Sequence, residues 1–209
     1  MKKSIGYLLL LGLLMSCAIS RKVEYENVAA NVPSFKEHIG IGTWDQREQI
    51  LNGARQIDFV GYMRSTAGIA YPMGTSSGKP FADVVSSSVA ASFSKKGNTT
   101  SIVAVSYADK ENLILEKLKK TRSDRLVLIR CNQFHTDGYG AISLLFDLQL
   151  NIFSPGGDLL KQKTFSGKRE LGGSKAWGAG KFKEYIPEGY KKLLEEIFND
   201  PEIVAALQK

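Results

Sequence analysis

The sequence predicts one mixed α/β domain of the α+β type, in which helices pack on a mixed sheet. Some segments carry apolar residues at helical spacing, and others show the alternation or the apolar runs of strands. The composition, 43% hydrophobic and 23% charged, is that of a globular protein, and 209 residues can form one core of ordinary size. With 2 Cys and 2 His, the chain cannot build a disulfide framework or a zinc ribbon.

The first residues have the pattern of an export signal. Lys2 and Lys3 precede an apolar run, Ile5 to Met15, that is shorter than the roughly 20 residues needed to span a membrane. The run leads into Leu14-Met15-Ser16-Cys17, which resembles a bacterial lipobox. An ordinary secretory signal followed by a chance cysteine is the alternative. We expect residues 1–16 to be a signal peptide and Cys17 to carry acyl chains such as palmitate, which hold the protein on a membrane.

The residues after the cysteine extend this prediction. Ala18, rather than Asp, follows Cys17, and the resemblance to lipoproteins implies transfer to the outer membrane, on its periplasmic face. Residues 17–36 lack periodicity and are predicted to form a lipidated tether, which leaves residues 37–209 as the domain. Because the exported compartment lacks ATP, we do not expect a nucleotide-driven enzyme. Nucleic acid is excluded as a partner on the same ground of compartment.

The first half of the domain alternates strands and helices. The predicted strands are Ile39 to Trp44, Ile57 to Met63 and Thr100 to Tyr107. A Gly/Ser-rich loop, Gly68 to Lys79, leads to a helix that begins at Pro80 and whose apolar residues recur every four positions. These apolar residues are Phe81, Val85, Val89 and Phe93. A second helix, Lys110 to Lys120, is expected to bury Leu113, Ile114 and Leu118.

The second half is predicted to be an antiparallel three-stranded meander followed by C-terminal helices. Its strands are Leu126 to Phe134, Ile142 to Phe153 and Leu159 to Ser166. The turns that join them are expected at His135 to Gly140 and at Ser154 to Gly157. In the middle strand apolar residues occupy one face, namely Leu144, Phe146, Leu148, Leu150 and Ile152. A loop from Gly172 to Gly180 precedes a helix near Pro187 to Phe198 and a short last helix.

These elements together resemble a known family. The features that carry the resemblance are the lipobox, a strand ending in Asp45-x-Arg47, the helix Phe81 to Phe93 closed by Lys95-Lys96-Gly97, the meander and the C-terminal helices. Over its whole mature length the chain is similar to the YajG-type outer-membrane lipoproteins. The resemblance implies a lipid-anchored protein of the cell envelope, and it brings no catalytic residues.

One motif suggests a hydrolase. Gly74 to Gly78 fits G-x-S-x-G around Ser76, and Asp109 or Asp124 and then His135 follow in the order of α/β-hydrolases. In that fold the nucleophile lies on a sharp turn that joins a buried central strand directly to a helix. The segment before Gly74 is too short for such a strand and is interrupted by proline, so we expect the motif to be a chance match.

Three smaller patterns have ordinary explanations. The loop ending at Lys79 could hold an anion at a helix N-terminus, but a flexible loop is the explanation that we prefer. Four ligand-type residues alternate in the sequence and could share one strand face, namely Cys131, Gln133, His135 and Asp137. They are few for a metal site, so we expect no metal and no cofactor. Asp45 and Arg47 are expected to form a local ion pair.

Basic residues are concentrated between Lys161 and Lys192, where aromatic residues are interleaved with them. The segment predicts a surface for anionic lipid, lipopolysaccharide or an acidic envelope protein. The candidate residues are Lys79, Lys168, Arg169, Lys175, Trp177, Lys181 and Lys183. A solvated edge strand protected by lysines is an equally good explanation.

The sequence therefore predicts a non-catalytic, lipid-anchored envelope lipoprotein that binds or scaffolds a partner at the outer membrane, as an accessory of a transport or assembly system. A carrier of an apolar ligand would need an internal cavity. A small envelope serine hydrolase would need Ser76, His135 and an aspartate to converge.

Overall fold

The computed structural model describes residues 21–172 and 179–208. The signal segment, Cys17, Lys175 and Trp177 lie outside the described residues. Within the described ranges the elements are β1 Lys22–Val23, β2 Ile39–Asp45, α1 Glu48–Leu51, β3 Phe59–Arg64, β4 Ala70–Thr75, α2 Phe81–Ser94, β5 Thr100–Val103, α3 Glu111–Lys119, β6 Arg125–Tyr139, β7 Ala141–Phe153, β8 Leu159–Gly172, α4 Ala179–Phe198 and α5 Pro201–Gln208. The predicted single α+β domain with a mixed sheet is confirmed.

The long strand β6 organises the sheet. Along one edge it pairs antiparallel with β7, and β7 pairs antiparallel with β8, which confirms the predicted meander. Its other edge is divided between two parallel partners. β2 pairs with Arg125 to Cys131, and β3 pairs with Thr136 to Gly138. β5 extends the sheet beyond β2, and β4 and then β1 extend it beyond β3.

Helices cover both faces of the sheet to different extents. α2, α4 and α5 pack on one face and form the main core, in which the predicted apolar stripe of α2 is fully buried. On the opposite face, α3 buries Ile114 and Leu118 against Trp44 and the first part of β6. The prediction that Leu113 is buried is wrong, because this side chain is 48% exposed on the solvent side of α3.

The segment from residue 21 to residue 36 is not the free tether that the sequence predicts. Val23 pairs with β4, and Tyr25 is fully buried. The Tyr25 ring makes edge contacts with Phe134, at 5.9 Å, and with Tyr190, at 5.1 Å. Ala30 N–H donates to Ser92 Oγ at 2.9 Å. The segment lacks periodicity because it crosses the core as an irregular chain, and its aromatic and aliphatic side chains are what hold it there.

The predicted loop from Gly68 to Lys79 contains strand β4. Pro72 lies inside this strand, opposite Tyr62 of β3. β1 pairs only with Gly74 and Thr75, so β4 has an unpaired edge at Pro72, where a proline is tolerated in a sheet. The short helix α1 lies between the first two predicted strands, where the sequence predicts no helix.

Several predicted boundaries shift because of long-range packing. β6 continues through His135 to Tyr139, and the turn lies at Gly140, whose φ is +72°. β8 continues past Ser166 to Gly172, whereas β5 ends four residues early, at Val103. α4 begins at Ala179 and holds Pro187 in its interior.

Packing against the sheet explains why α4 begins so early. Phe182 lies over Gly138 of β6, where an added Cβ would come within 2.1 Å of the ring. Leu171 of β8 similarly lies over Gly189 of α4. These contacts stabilise the first turns of the helix although Pro187 lacks an N–H.

Candidate functional site

A buried ion pair occupies the point where β6 changes partners. Arg47 donates from Nε to Asp45 Oδ1 at 2.8 Å and from Nη2 to Asp45 Oδ2 at 2.7 Å. Its Nη1 donates to two backbone carbonyl oxygens, Phe59 at 2.7 Å and Phe134 at 3.1 Å. Burial lowers the pKa of Arg47, but the paired carboxylate more than compensates, so the pKa lies above its ordinary value. The predicted local ion pair is confirmed, and it joins β2, β3 and β6.

A β-bulge next to this pair changes which side chains face solvent. The register of β6 on β7 shifts between Cys131 and Gln133, so Asn132 is an extra residue. Cys131 therefore faces the core, and burial raises the pKa of its thiol. His135 and Asp137 lie on the opposite face. The expectation that these alternating residues share one face is wrong, because the bulge reverses the alternation.

The sheet face opposite α2, α4 and α5 is here called the outward face. α3 covers only its end at Leu126, Leu128 and Phe153. Toward Gly140 the described residues leave a groove of about 460 Å³ uncovered. The side chains and backbone that line it are Arg64, Gly68, His135, Asp137, Tyr139, Ala141, Ser143, Leu145 and Lys168. We call this part of the outward face the hairpin groove.

The charges of the hairpin groove are partly compensated. Arg64 donates to both Asp137 oxygens, from Nε at 2.7 Å and from Nη2 at 2.8 Å. Burial lowers the pKa of His135, the nearby Arg47 acts in the same direction, and Asp137 opposes them. His135 is therefore neutral at pH 7. Lys168 forms no ion pair with any residue that the structure describes, so it leaves the groove positively charged.

The candidate hydrolase residues do not come together. The Ser76 hydroxyl donates to Glu24 Oε2 at 2.8 Å, in the turn after β4. Asp109 pairs with Lys117 at 2.6 Å, and Asp124 accepts a bond from the His38 backbone. His135 lies on the outward face of β6. Among these described residues no hydrogen bond joins the serine, the histidine and an aspartate.

The loop between β4 and α2 has its own internal contacts. Lys79 Nζ lies 2.5 Å from Glu26 Oε1, and Thr75 Oγ1 donates to the Lys79 carbonyl oxygen at 2.8 Å. The cation proposed for an anion site is thus already paired. This loop is ordered by hydrogen bonds rather than being an open anion cradle.

The basic residues of β8 divide between its two faces. Lys161, Lys163 and Arg169 lie on the side of α4 and α5, because they pair in register with the buried residues of β7. Lys163 contacts Asp200 at 2.8 Å and Glu202 at 2.6 Å, Lys161 also pairs with Glu202, and Arg169 pairs with Glu196. Arg169 is therefore part of the fold, and its prediction as a partner-binding residue is not supported by its position.

The remaining predicted cations lie on two different elements, β8 and α4. Lys168 lies opposite Leu145 on the outward face, four residues before the end of β8. Lys181 and Lys183 lie on α4 and flank Phe182, which packs on Gly138 from the core face, across the sheet from the hairpin groove. Lys181 makes one exposed contact, at 3.2 Å, with Glu184. Sequence reasoning missed Arg64 and Tyr139 as groove residues, because only the pairing of β3 with β6 brings them together.

Other classes of site find little support in the described residues. An apolar cavity between α2, the sheet and α4 has a volume of about 10 Å³, which is room for about one water molecule. It cannot hold an apolar ligand. The residues described include no group of three or more metal-ligating side chains. Across the same ranges, no helix is both long enough and apolar enough to span a bilayer.

Comparisons with known proteins identify the fold alone. No family model matches the chain, and no curated protein matches it. Protein XCC0632 from Xanthomonas campestris, of the DUF330 family, has a TM-score of 0.52 at 15% identity and covers 89% of this chain and 92% of its own. Lipoprotein GNA1162 from Neisseria meningitidis has a TM-score of 0.31 at 14% identity, covering 77% and 98% of the two chains. The PelC dodecamer from Paraburkholderia phytofirmans has a TM-score of 0.38 at 10% identity, covering 86% and 93%.

Proposed function

We propose that the protein is a lipid-anchored lipoprotein of the bacterial cell envelope that binds an acidic envelope protein through the hairpin groove. Acylation at Cys17 holds it on the periplasmic face of the outer membrane, as in the YajG-type lipoproteins that its sequence resembles. The role is that of a non-catalytic accessory of a transport or assembly system.

The observation that carries the proposal is the open hairpin groove. Among the residues that the structure describes, no helix covers this part of the sheet, whereas the opposite face is buried under α2, α4 and α5. The groove combines Lys168, which pairs with no carboxylate of the described ranges, with the Tyr139 ring, which is 58% exposed. Aromatic and cationic side chains around a depression are typical of protein-binding surfaces. The positive charge selects a partner with acidic side chains.

Site-specific photocrosslinking in intact cells tests the partner. A photoreactive residue in place of Tyr139 should give one defined crosslinked product. The same residue in place of Leu113, which is similarly exposed on α3, should not give that product. Mass spectrometry then identifies the partner and the position that it contacts.

Charge reversal tests whether the groove recognises acidic groups. Lys168→Glu should abolish the Tyr139 product. The matched control is Lys95→Glu, at an exposed lysine after α2, which should leave the product unchanged. Identical products from Tyr139 and Leu113, or a product that survives Lys168→Glu, would contradict the proposal.

The anchor has its own test. Cys17→Ala should release the protein from the membrane fraction, because no acyl chain can then be attached. A Cys17→Ala protein that is correctly processed and still sediments with membranes would contradict lipid anchoring.

A further inference from the structure

A second group of cations lies where the chain enters the fold. Arg21, Lys22 and Arg55 line a groove of about 530 Å³ beside Asp58, and we call them the N-terminal basic cluster. Asp58 pairs with Lys22 at 2.9 Å. Neither arginine pairs with a carboxylate of the described residues, so the cluster is positively charged.

Aromatic rings hold the two arginines in place. The Arg21 guanidinium lies 4.2 Å from the centre of the Tyr71 ring. Arg55 lies 5.3 Å from the centre of the Tyr62 ring, and its Nε donates to Tyr62 Oη at 3.1 Å. Both arginines are exposed, so their remaining N–H groups are free to bind anions.

The position of Arg21 is set by the core. Gly74 N–H donates to the Arg21 carbonyl oxygen at 3.0 Å. Two and four residues later, Val23 is 2% exposed and Tyr25 is fully buried. The chain therefore leaves the domain at a defined place on the edge of the sheet.

The predicted acylation site is very near this place. Cys17 precedes Arg21 by four residues, and a fully extended chain of that length spans at most about 14 Å. If Cys17 carries acyl chains in the bilayer, the basic cluster lies within about that distance of the lipid headgroups. A long tether, which would leave the orientation of the domain free, is excluded by the burial of Tyr25.

The surface beside the cluster is also partly apolar. The loop between α1 and β3 carries Arg55, and it is flanked by Leu51, 47% exposed, and Ile57, 41% exposed. Cations next to exposed aliphatic side chains are typical of surfaces that rest on a membrane. The aliphatic groups enter the interface, while the cations bind phosphates.

We propose that the N-terminal basic cluster docks the domain on anionic phospholipid headgroups and so fixes its orientation on the membrane. This inference rests on the proposed lipidation of Cys17. The hairpin groove adjoins the cluster, since the Arg55 and Arg64 guanidinium groups lie 5.3 Å and 5.9 Å from the centre of the same Tyr62 ring.

The test uses the full chain, as purified from cells, in vesicles of phosphatidylcholine, with or without phosphatidylglycerol. An environment-sensitive fluorophore is attached at Ala54→Cys, since Cys131 is buried and Cys17 is acylated. Phosphatidylglycerol should shift the emission to shorter wavelength. The shift should disappear in about 1 M salt, where the Debye length is about 3 Å. Arg21→Glu/Arg55→Glu should remove it, because each cation lost changes the docking equilibrium about fivefold.

Lys95→Glu/Lys96→Glu is the matched control. These exposed lysines follow α2, whose 14 residues span about 21 Å, and the helix begins beside the labelled loop, where Phe81 N–H donates to the Ile57 carbonyl oxygen. This variant should keep the shift. A chain that floats with the vesicles but shows the same emission with and without phosphatidylglycerol overturns the docking alone. An emission shift that persists in Arg21→Glu/Arg55→Glu likewise overturns the docking alone. A chain that floats with neither vesicle overturns lipidation and the docking together.

Discussion

Two sets of ion pairs join distant parts of this molecule, and they differ in their access to water. Asp45 and Arg47 lie at the junction of β2, β3 and β6, where the Arg47 side chain is 1% exposed. The pairs between β8 and the C-terminal helices are exposed to solvent, since the Lys163 side chain is 29% exposed and that of Glu202 is 52% exposed. Ion pairing should therefore be essential to stability at the buried junction and nearly dispensable between β8 and the C-terminal helices.

The largest effect is expected from breaking the buried pair. Arg47→Met leaves the Asp45 carboxylate and the carbonyl oxygens of Phe59 and Phe134 buried without their donor. The free energy of unfolding should fall by about 3–5 kcal/mol. Urea denaturation followed by circular dichroism measures the change. A loss below about 1 kcal/mol would show that the junction does not depend on this pair.

The second largest effect is expected from a substitution that tests whether packing, rather than charge, holds α4 on the sheet. Gly138→Ala places a methyl group against the Phe182 ring, and the overpacking should cost about 1–3 kcal/mol. Gly53→Ala is a poor control because Gly53 has a φ of +72°. Gly156→Ala is a better one, since its neighbours lie at 3.5 Å or more. Equal stability of the two variants would contradict the proposed contact.

The exposed pairs of β8 should contribute less and should depend on salt and pH. Lys163→Met is expected to lower the melting temperature far less than Arg47→Met does, and the difference from the parent protein should vanish at about 1 M salt. Hydrogen bonds from Lys161 and Lys163 lower the pKa of Glu202 to about 2.

The pH dependence of this variant follows from the direction of that shift. A lowered carboxyl pKa stabilises the fold above the ordinary value of about 4.3, and the contribution is lost as the pH falls toward 2. The parent protein and Lys163→Met should thus differ at pH 7 and converge near pH 2. Thermal melts across this pH range measure the difference in melting temperature between the two proteins. A difference that does not change with pH would argue against ion pairing.

The smallest effect is expected at Lys168. It lies on β8 next to Arg169 but faces solvent, so Lys168→Glu should change the free energy of unfolding by no more than about 0.5 kcal/mol. Arg169→Glu, which places a second carboxylate beside Glu196, should be the less stable of the two. The reverse order in urea denaturation would mean that the two faces of β8 are assigned wrongly.

Local periodicity predicted much of the fold. The four-residue spacing from Phe81 to Phe93 located α2 and its buried face, and the alternation from Leu144 to Ile152 located β7 and its face. Prediction failed where a residue is placed by a partner far along the chain. Tyr25 appeared to belong to a tether because its neighbours in the core, Phe134 and Tyr190, lie more than a hundred positions later.

The candidate site was predicted less well than the fold. A count of lysines between Lys161 and Lys192 indicated a basic surface, but it could not show which cations meet carboxylates of α4 and α5. Strand alternation separates Lys168 from Arg169 only when the core face of β8 is known. The bulge at Asn132, which turns His135 outward and Cys131 inward, has no local sequence signal of its own.

The sequence by itself determined the types of the longer helices and strands, the apolar faces of α2 and β7, and the predicted acylation site at Cys17, because each depends on a short pattern of neighbouring residues. Only the tertiary structure decided that β6 is shared by β2 and β3, that Arg47 closes the gap between them, and which cations stay free in solvent. These features depend on hydrogen bonds and contacts between groups far apart in the chain, and burial from water then determines how strong each one is.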